Sequence, residues 1–228
     1  MARYIISDIH GCLKTIKKLL TEIIPHQPND IYYFLGDYIN KGPKSLETIN
    51  YLMNFNAQNN CVFLKGNHDQ LLLDIFNEVK IDFIKVAQVE SLYKSLNIRH
   101  PKEISWEYVE FYSAMKYYVE LENCILVHAG LNFDLDNIFE DTQAMLNTKQ
   151  SKYNDSKAKG KTVFHGHVPV PLSQLVFDLK NNTPVISIDT GCVYRMNPEL
   201  NTLSAIDIDT LRIYTQPNIE NPYFINRR

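Results

Sequence analysis

The 228-residue chain has no marked excess of charge and no long apolar run. Its net charge of −3 argues against general nucleic-acid binding, because affinity for a phosphate backbone depends on clustered Lys and Arg. No stretch of about 18 apolar residues occurs, so we expect no membrane span. The first residues also lack the apolar segment of a signal peptide, and we therefore expect a cytoplasmic protein.

Cysteine pairs at metal-binding spacing are also missing. The four cysteines are scattered and form no Cys-X-X-Cys motif: Cys12, Cys61, Cys124 and Cys192. Three of them lie in or beside apolar strand patterns, which is typical of buried, reduced thiols in a cytosolic protein. The sequence therefore argues against a zinc–thiolate site.

Strand and helix patterns alternate through the first half of the chain. The predicted elements, in order, are strand Tyr4–Ile6, helix Leu13–Ile24, strand Ile31–Leu35, helix Ser45–Phe55, strand Cys61–Leu64 and a helix beginning at Gln70. This order predicts a parallel sheet. Residues 80–117 then predict a cap-like excursion of two helices, before strands resume at Val119–Leu121 and Cys124–Val127.

The last third alternates in the manner of strands. The predicted strands are Val163-Phe164, Gln174–Phe177, Pro184–Ile188, Leu203–Ile208 and Leu211–Tyr214. The four predicted strands from Gln174 to Tyr214 predict a second, mixed or antiparallel sheet. We predict one α/β domain over residues 1–228, in which two mixed sheets pack face to face with helices outside. We also expect a solvated loop at Lys149–Lys161 and a C-terminal tail from about residue 217.

Five short polar segments follow apolar strand patterns, at the position where α/β sheets hold ligands and metals. They are Asp8-Ile9-His10-Gly11, Gly36-Asp37, Gly66-Asn67-His68-Asp69, His128-Ala129-Gly130 and Gly166-His167. Five of the seven histidines lie at these glycine-flanked strand ends, and only His26 and His100 lie elsewhere. Each motif alone is weak, but this concentration of histidines makes coincidence a poor explanation.

The residue types suit a pair of divalent cations. Asp8 and His10 are two apart at a strand end, so both side chains can face one cation. Asp37 is a candidate carboxylate bridge between two metals. Further oxygen and nitrogen ligands are offered by Asn67, His128 and His167. A set without thiolates suits two divalent ions, of which we favour Mn, with Fe or Zn as alternatives.

In order and spacing, the segments resemble the calcineurin-like metallophosphoesterases, and within them the serine/threonine phosphatase branch of phage-lambda phosphatase size. The family's GDxHG occurs as Ser7 to Gly11, its GDxVDRG as Gly36 to Gly42, and its RGNHE as Lys65 to Asp69. The segment Gly166-His167-Val168-Pro169 carries proline in place of the second histidine of GHxH, which is typical of the phosphatase branch. Asp189-Thr190-Gly191 resembles the branch's late DTG motif.

The resemblance implies a role for each residue. One metal takes Asp8, His10 and Asp37, and the other takes Asp37, Asn67, His128 and His167. His68 is the implied general acid, which protonates the leaving oxygen after attack by a water that the cations activate. We interpret His165 as a supporting or packing residue.

Departures from the family pattern at Asn40 and at three lysines bear on activity. Asn40 replaces the aspartate that pairs with the histidine acid, and an amide stabilises imidazolium less than a carboxylate does, unless another acid such as Asp69 substitutes. Lys41 and Lys65 replace phosphate-binding arginines, and Lys149 loosely matches a third. Lysine keeps the charge but loses the bidentate fork, so we expect a less rigid grip on phosphate.

The predicted function is metal-dependent hydrolysis of phosphate monoesters, as in bacterial serine/threonine protein phosphatases. A dinucleoside polyphosphate hydrolase carries the same motifs and is the alternative enzyme. The departures at Asn40 and the arginine positions leave a third possibility, a weakly active metal-binding regulatory protein. We expect a phosphorylated partner, namely a phosphoprotein, phosphopeptide or nucleotide.

Overall fold

A computed structural model describes residues 1–79, 86–150 and 152–223, and its first sheet has five strands. They are β1 (Arg3–Ile6), β2 (Ile31–Phe34), β3 (Asn60–Phe63), β8 (Thr202–Asp207) and β9 (Arg212–Pro217). Their order is β3-β2-β1-β8-β9. The first three strands run parallel, as their alternation with helices predicts, and the β8–β9 hairpin joins β1 antiparallel.

The second sheet has four strands in the order β4-β5-β6-β7. They are β4 (Tyr118–Glu120), β5 (Cys124–Val127), β6 (Thr162–His165) and β7 (Val185–Ser187). Strands β5, β6 and β7 are parallel, and β4 pairs antiparallel with β5. Both sheets are therefore mixed, which confirms the predicted fold class.

Side-chain alternation along the strands separates two cores. Ile5, Tyr33 and Leu35 pack between the sheets against residues of the second sheet such as Leu126 and Phe164. Successive strand residues point to opposite faces, so neighbours such as Tyr4, Ile6, Tyr32 and Phe34 pack against the outer helices. Because each sheet has two apolar faces, one face packs on the other sheet and the opposite face is covered by helices. The result is a layered αββα arrangement.

Eight α-helices are described. They are α1 (Leu13–Lys18), α2 (Ser45–Asn56), α3 (Asn67–Phe76), α4 (Val86–Leu96), α5 (Trp106–Ser113), α6 (Thr142–Asn147), α7 (Asp155–Ala158) and α8 (Leu172–Lys180). A π-helical turn, Leu19–Ile23, extends α1. In the predicted cap-like excursion, α4 packs on α2 and α3, and α5 packs on α3. The predicted helical residues Phe83 and Ile84 lie outside the described residues.

The prediction of a strand at Gln174–Phe177 is wrong, because this segment lies inside α8. Leu175 and Leu179 are buried four residues apart, whereas Phe177 is 58% exposed. The β-branched and aromatic residues of the segment favoured a strand locally. Helical spacing of the buried leucines places them on the core side, and this tertiary packing outweighs the local preference.

The expectation that the last third forms the second sheet by itself is also wrong. Of the strands after residue 174, β7 alone joins that sheet in the described structure, whereas β8 and β9 extend the first sheet beyond β1. Strand pairing depends on which apolar face meets which partner, and the period-two pattern carries no information about the partner.

The described part of the predicted C-terminal segment, residues 218–223, packs against α1. Glu220 is 3% exposed, and its carboxylate accepts hydrogen bonds from the Thr15 backbone N–H (2.9 Å) and hydroxyl (3.1 Å). Tyr223 donates to the Val193 carbonyl at 2.6 Å. No described helix is both long enough and apolar enough to cross a lipid bilayer.

Candidate dinuclear metal site

The polar loops that follow the strands of both sheets converge on one place, because the carboxyl ends of parallel strands lie at the same sheet edge. Two groups of possible metal ligands form there, each with its ligand atoms within 4.8 Å of one another: His10, Asp37 and His68, and Asp37, His128 and His167. Asp37 belongs to both groups. The structure therefore brings together side chains from all five motifs that the sequence singled out.

On one side of the site, His10 directs Nε2 at two carboxylates. This nitrogen lies 3.5 Å from Asp37 Oδ2 and 3.9 Å from Asp8 Oδ2. The other ring nitrogen, Nδ1, is 3.0 Å from the Ile39 carbonyl oxygen, to which it donates. This hydrogen bond leaves the Nε2 lone pair directed into the site, as in histidines that ligate metals.

On the other side, His128 has the same arrangement. Its Nδ1 donates to the Leu35 carbonyl at 2.9 Å, and its Nε2 lies 3.6 Å from Asp37 Oδ1 and 3.1 Å from Asn67 Oδ1. The two oxygens of Asp37 therefore face opposite ligand groups. This is the geometry that a bridging carboxylate requires.

The loop after β6 completes the site around Asp8. The His167 backbone N–H lies 3.2 and 3.1 Å from the two carboxylate oxygens of Asp8. The His167 ring lies edge-on to His128 with centroids 5.0 Å apart. A single loop thus orients one candidate ligand, Asp8, while it supplies another.

Two glycines leave room for the carboxylates. A β-carbon at Gly66 would lie 2.2 Å from Asp37 Oδ1, and one at Gly166 would lie 2.1 Å from Asp8 Oδ1. Both distances are far inside van der Waals contact. The glycines of these motifs are therefore required by the close approach of backbone to carboxylate.

Backbone strain is concentrated at the site. Five residues that are not glycine adopt left-handed conformations there: His10 (φ 48°), Asp37 (φ 53°), Asn40 (φ 69°), Lys41 (φ 63°) and His167 (φ 65°). Each such residue costs roughly 1–2 kcal/mol. Strain of this kind persists only where the surrounding contacts over-determine the backbone, and it clusters at functional sites.

The buried carboxyl groups of Asp8 and Asp37 differ in the direction of their pKa shifts. Burial raises the pKa of Asp8, and the nearby carboxylates of Asp189 and Asp37 raise it further. Burial also acts to raise the pKa of Asp37, but the surrounding imidazoles, which carry positive charge when protonated at low pH, and Lys41 outweigh it and hold that pKa well below its usual range. Asp37 is therefore ionised and available to cations.

The imidazoles are neutral near pH 7. Burial lowers the pKa of His68 and that of His167 to about 4. Burial likewise lowers the pKa of His10 and His128. Neutral imidazole is the form that ligates metals, so the donor set fits two divalent ions with nitrogen and oxygen ligands.

Asn40 and His68 are directly paired. Asn40 Nδ2 lies 3.0 Å from His68 Nδ1, and His68 Nε2 lies 3.9 Å from Asp37 Oδ2. The Nδ1 edge of the His68 ring thus contacts the Asn40 amide, and Nε2 faces the candidate metal ligands. The pairing expected from the motif is present, with an amide where the family pattern has a carboxylate.

The three predicted phosphate-binding lysines lie in different surroundings. Lys41 Nζ is 2.8 Å from His10 Nε2, inside the site. Lys65 Nζ lies 4.9 Å from the centroid of the Tyr117 ring, and burial lowers its pKa. Lys149 is exposed just after α6. Of the three, Lys41 is the lysine whose ammonium group the structure positions among the candidate ligands.

Three residues outside the predicted metal ligands and phosphate-binding lysines also bear on the site. Asp69 accepts hydrogen bonds from three backbone N–H groups, those of Asp37 (2.7 Å), Gly66 (2.9 Å) and Tyr38 (3.2 Å). It therefore ties two ligand loops together instead of facing His68 as a substitute acid. Asp69 is the third residue of α3, and its bond to the Gly66 N–H is the one that an acidic residue at this helix position makes to the N-cap backbone.

The other two are His165 and Asp189. His165 is buried with Nδ1 2.8 Å from the Gly166 carbonyl, and it lies outside the two ligand groups found among the described residues. Asp189 is buried, accepts from the Gly191 N–H at 2.8 Å and raises the pKa of Asp8 by its charge. In the sequence, the DTG motif was the feature that could have indicated a place for Asp189 near the site.

A family model described as calcineurin-like phosphoesterase matches residues 1–214. The chain belongs to the calcineurin-like phosphoesterases. As a member of this family it is a metallophosphoesterase, and its clustered His and Asp residues form groups able to bind metal.

Similar proteins carry nucleotide-related names. The asymmetrical bis(5'-nucleosyl)-tetraphosphatase PrpE of Oceanobacillus iheyensis is 26% identical over 218 residues, which cover 83% of this chain and 84% of that protein. A symmetrical bis(5'-nucleosyl)-tetraphosphatase of Pseudomonas fluorescens is 33% identical over 132 residues, which cover 58% of this chain and 43% of the relative. This chain therefore spans less than half of the symmetrical relative.

A solved structure supports the fold. A crystal structure provisionally assigned as a diadenosine tetraphosphatase matches with a TM-score of 0.63 at 22% identity, covering 96% of this chain and 94% of that one. At this level of identity the match shows the common two-sheet architecture.

Proposed function

We propose that this metallophosphoesterase hydrolyses the phosphoanhydride of dinucleoside polyphosphates, with Asp8, His10, Asp37, Asn67, His128 and His167 as the metal ligands. The names of the PrpE and symmetrical relatives support this substrate class over the phosphate monoesters favoured by the sequence motifs. The observation that carries the proposal is the amide of Asn40 against His68. Hydrolysis of phosphate monoesters is the second candidate, supported by the shared ligand motifs.

Hydrogen-bond geometry defines what His68 can do. The backbone N–H of Lys41 donates to Asn40 Oδ1 at 2.8 Å, so this atom is the oxygen, and Nδ2 faces His68 Nδ1. The amide nitrogen donates, so Nδ1 accepts, and the ring hydrogen of neutral His68 is on Nε2. From there the ring can donate a hydrogen bond to a phosphate oxygen, but Asn40 gives no charge to stabilise imidazolium.

The leaving group decides whether a hydrogen bond from neutral His68 is sufficient for hydrolysis. In anhydride hydrolysis, a water oxygen bonds to phosphorus, the bridging P–O bond breaks, and the leaving nucleotide takes the electron pair while the water releases a proton. A phosphate leaving group has a pKa of about 6 and departs without protonation. A serine alkoxide needs a proton from a general acid. A hydrogen-bonding neutral His68 therefore suits the anhydride.

Charge compensation comes from Lys41 and the ligand groups. The ammonium of Lys41, 2.8 Å from His10 Nε2, is close enough to the ligands to pair with a non-bridging phosphate oxygen. Two divalent ions held by the ligand set would supply further positive charge and would lower the pKa of the attacking water. Mn is the metal we favour, since the ligands are imidazole, carboxylate and amide.

A side-by-side assay tests the proposal. The purified protein, with added Mn, is given diadenosine tetraphosphate, a phosphoserine peptide and p-nitrophenyl phosphate. We expect the highest kcat/KM for the dinucleotide, with turnover of the aryl ester and little of the peptide, because only the peptide has a leaving group that needs a proton. A higher kcat/KM for the peptide would contradict the proposal and favour a protein phosphatase.

Two further results complete the assay. Loss of dinucleotide turnover in Asp37→Asn, with retention in the exposed-loop variant Asp134→Asn, assigns the activity to this site. Metal bound in stoichiometric amounts without turnover of any of the three substrates would instead favour the regulatory metal-binding protein.

A further inference from the structure

Helix α4 reaches the site through two residues that no sequence motif indicated. Ser91 Oγ donates to Asn40 Oδ1 at 2.5 Å, and the Gln88 backbone carbonyl accepts from Asn40 Nδ2 at 3.3 Å. Both contacts join a helix of the cap-like excursion to the loop after β2. Asn40 itself is 1% exposed.

These contacts fix the orientation of the Asn40 amide. The Lys41 N–H can only donate and the Gln88 carbonyl can only accept, so a rotated amide would place donor against donor and acceptor against acceptor. Ser91 adds a second hydrogen bond to the same oxygen. The Asn40 backbone is held as well, by a 2.9 Å hydrogen bond from its N–H to Ser45 Oγ.

The fixed amide orients His68 in turn. Because Asn40 Nδ2 donates to Nδ1 at 3.0 Å, the ring presents Nε2–H toward the candidate metal ligands. The Gln88 carbonyl also disfavours a carboxylate at position 40, whose second oxygen would face another acceptor. The contacts from α4 therefore select both the residue type at position 40 and the tautomer of His68.

We infer that Ser91 is a positioning residue, which acts through the Asn40 amide to hold His68 as an Nε2–H donor toward the substrate phosphate. The inference rests on the proposed function only in assuming that His68 faces a phosphoryl group. Cap helix α4 thereby becomes part of the machinery that orients the substrate-facing imidazole.

A double-mutant cycle tests the coupling. We expect Ser91→Ala to lower kcat by about three- to ten-fold with KM little changed, which is the range for one lost hydrogen bond. Ser91→Thr keeps the hydroxyl and retains kcat. In an Asn40→Ala background Ser91→Ala has no further effect, because the intermediary is gone. Additive losses in the cycle would overturn the inference.

The matched control is Ser95→Ala, one helical turn further along α4. Ser95 Oγ donates to the Leu92 carbonyl at 2.9 Å within the helix, so this change removes the same group without touching Asn40. We expect wild-type kcat. An equal loss of kcat in Ser95→Ala and Ser91→Ala would mean that α4 is merely weakened, and would also overturn the inference.

A second readout needs neither metal nor substrate. Long-range ¹H–¹⁵N correlation spectra of the metal-free protein, labelled at histidine, report which ring nitrogen carries hydrogen. We expect the Nε2–H tautomer for His68, altered His68 signals in Ser91→Ala, and wild-type signals in Ser91→Thr and Ser95→Ala. An Nδ1–H tautomer, or unaltered signals in Ser91→Ala, would refute the inference. Because the cycle can be run with p-nitrophenyl phosphate, failure of dinucleotide turnover remains a separate result.

Discussion

At the scale of single residues, Asp37 connects the two halves of the site. One of its oxygens faces His10 and the other faces His128, at 3.5 and 3.6 Å. It is fully buried and ionised, with its backbone N–H held by Asp69. We therefore propose that Asp37 bridges two cations, a role that a residue able to ligate only one cation cannot fill.

We expect Asp37→Asn to reduce bound metal from two ions to one or none and to lower turnover by more than about a hundred-fold. The expected loss exceeds the roughly 10–100-fold cost of removing a partner that only supports a ligand. Elemental analysis and turnover of the dinucleotide measure the two effects. Two tightly bound ions in Asp37→Asn, with Asp134→Asn as the unaffected control, would disprove the bridging role.

Asn40→Asp should change substrate preference. A carboxylate beside His68 Nδ1 stabilises imidazolium and restores a general acid, although the Gln88 carbonyl opposes it. We expect turnover of a phosphoserine peptide to rise relative to that of diadenosine tetraphosphate. Asn40→Ala, which lacks both amide and carboxylate, should lower turnover of both substrates. An unchanged ratio in Asn40→Asp would remove the role assigned to position 40.

At the scale of elements, the strand-end loops work because glycine lets the backbone approach the carboxylates. Gly66 and Gly166 lie against Asp37 and Asp8 in this way. Helix α8 shows the opposite case, where the element's type depends on packing. Its residues Leu175 and Phe177 are two apart, so they would share a face in a strand and diverge in a helix.

We expect Gly66→Ala to lower metal affinity as well as stability, because the added methyl group displaces Asp37 Oδ1. Gly160→Ala is the matched control. Its β-carbon meets nothing within 4 Å, so the strain at φ 73° costs stability of roughly 1–2 kcal/mol without affecting metal. Metal titration and urea unfolding separate the two effects. Equal metal affinity in both variants would contradict the steric argument.

Alanine substitution in α8 tests the corrected element. We expect Leu175→Ala to lower the free energy of unfolding by about 2–5 kcal/mol, because Leu175 is fully buried. Phe177→Ala should cost under about 0.5 kcal/mol, since that side chain is mostly exposed. Urea denaturation measures both. Similar losses for the two variants would indicate a shared face and thus a strand.

At the scale of the whole molecule, the fold buries several neutral imidazoles in and beside the site, at the carboxyl ends of the strands. Burial lowers the pKa of His165 to about 4, as it does for His68 and His167. Unfolding raises such a pKa toward its ordinary value of about 6.5. The unfolded chain therefore binds more protons between these values, and folded stability falls as pH decreases through that window.

We expect metal-free His165→Gln to lose less stability than the wild type when pH is lowered from about 7 to about 5, because one protonation on unfolding is removed. The raised pKa of Asp8 acts in the opposite direction, but it is common to both proteins and cancels in the comparison. Thermal unfolding across this range measures the difference. A steeper acid loss in His165→Gln would contradict the assignment.

Much of the fold was predictable from the sequence where periodicity and position coincide. Strand β5 was predicted with its observed bounds, and α2 to within one residue, because short apolar runs and helical spacing are local signals. The helical nature of 172–180 was missed, because Val176 and Phe177 favour a strand locally and only packing against the second sheet decides between the two patterns.

The sequence by itself determined which residue types stand at the strand ends, and glycine-flanked Asp, Asn and His residues there already predicted a set of cation-binding loops. Tertiary structure alone decided that Asp37 faces both ligand groups, that Lys41 lies inside the site while Lys65 packs on Tyr117, and that Ser91 contacts Asn40. The physical reason is the separation in sequence between the residues that interact. Strand-end loops obey local backbone chemistry, whereas a contact such as that between Ser91 and Asn40, 51 positions apart, depends on how helices and sheets pack.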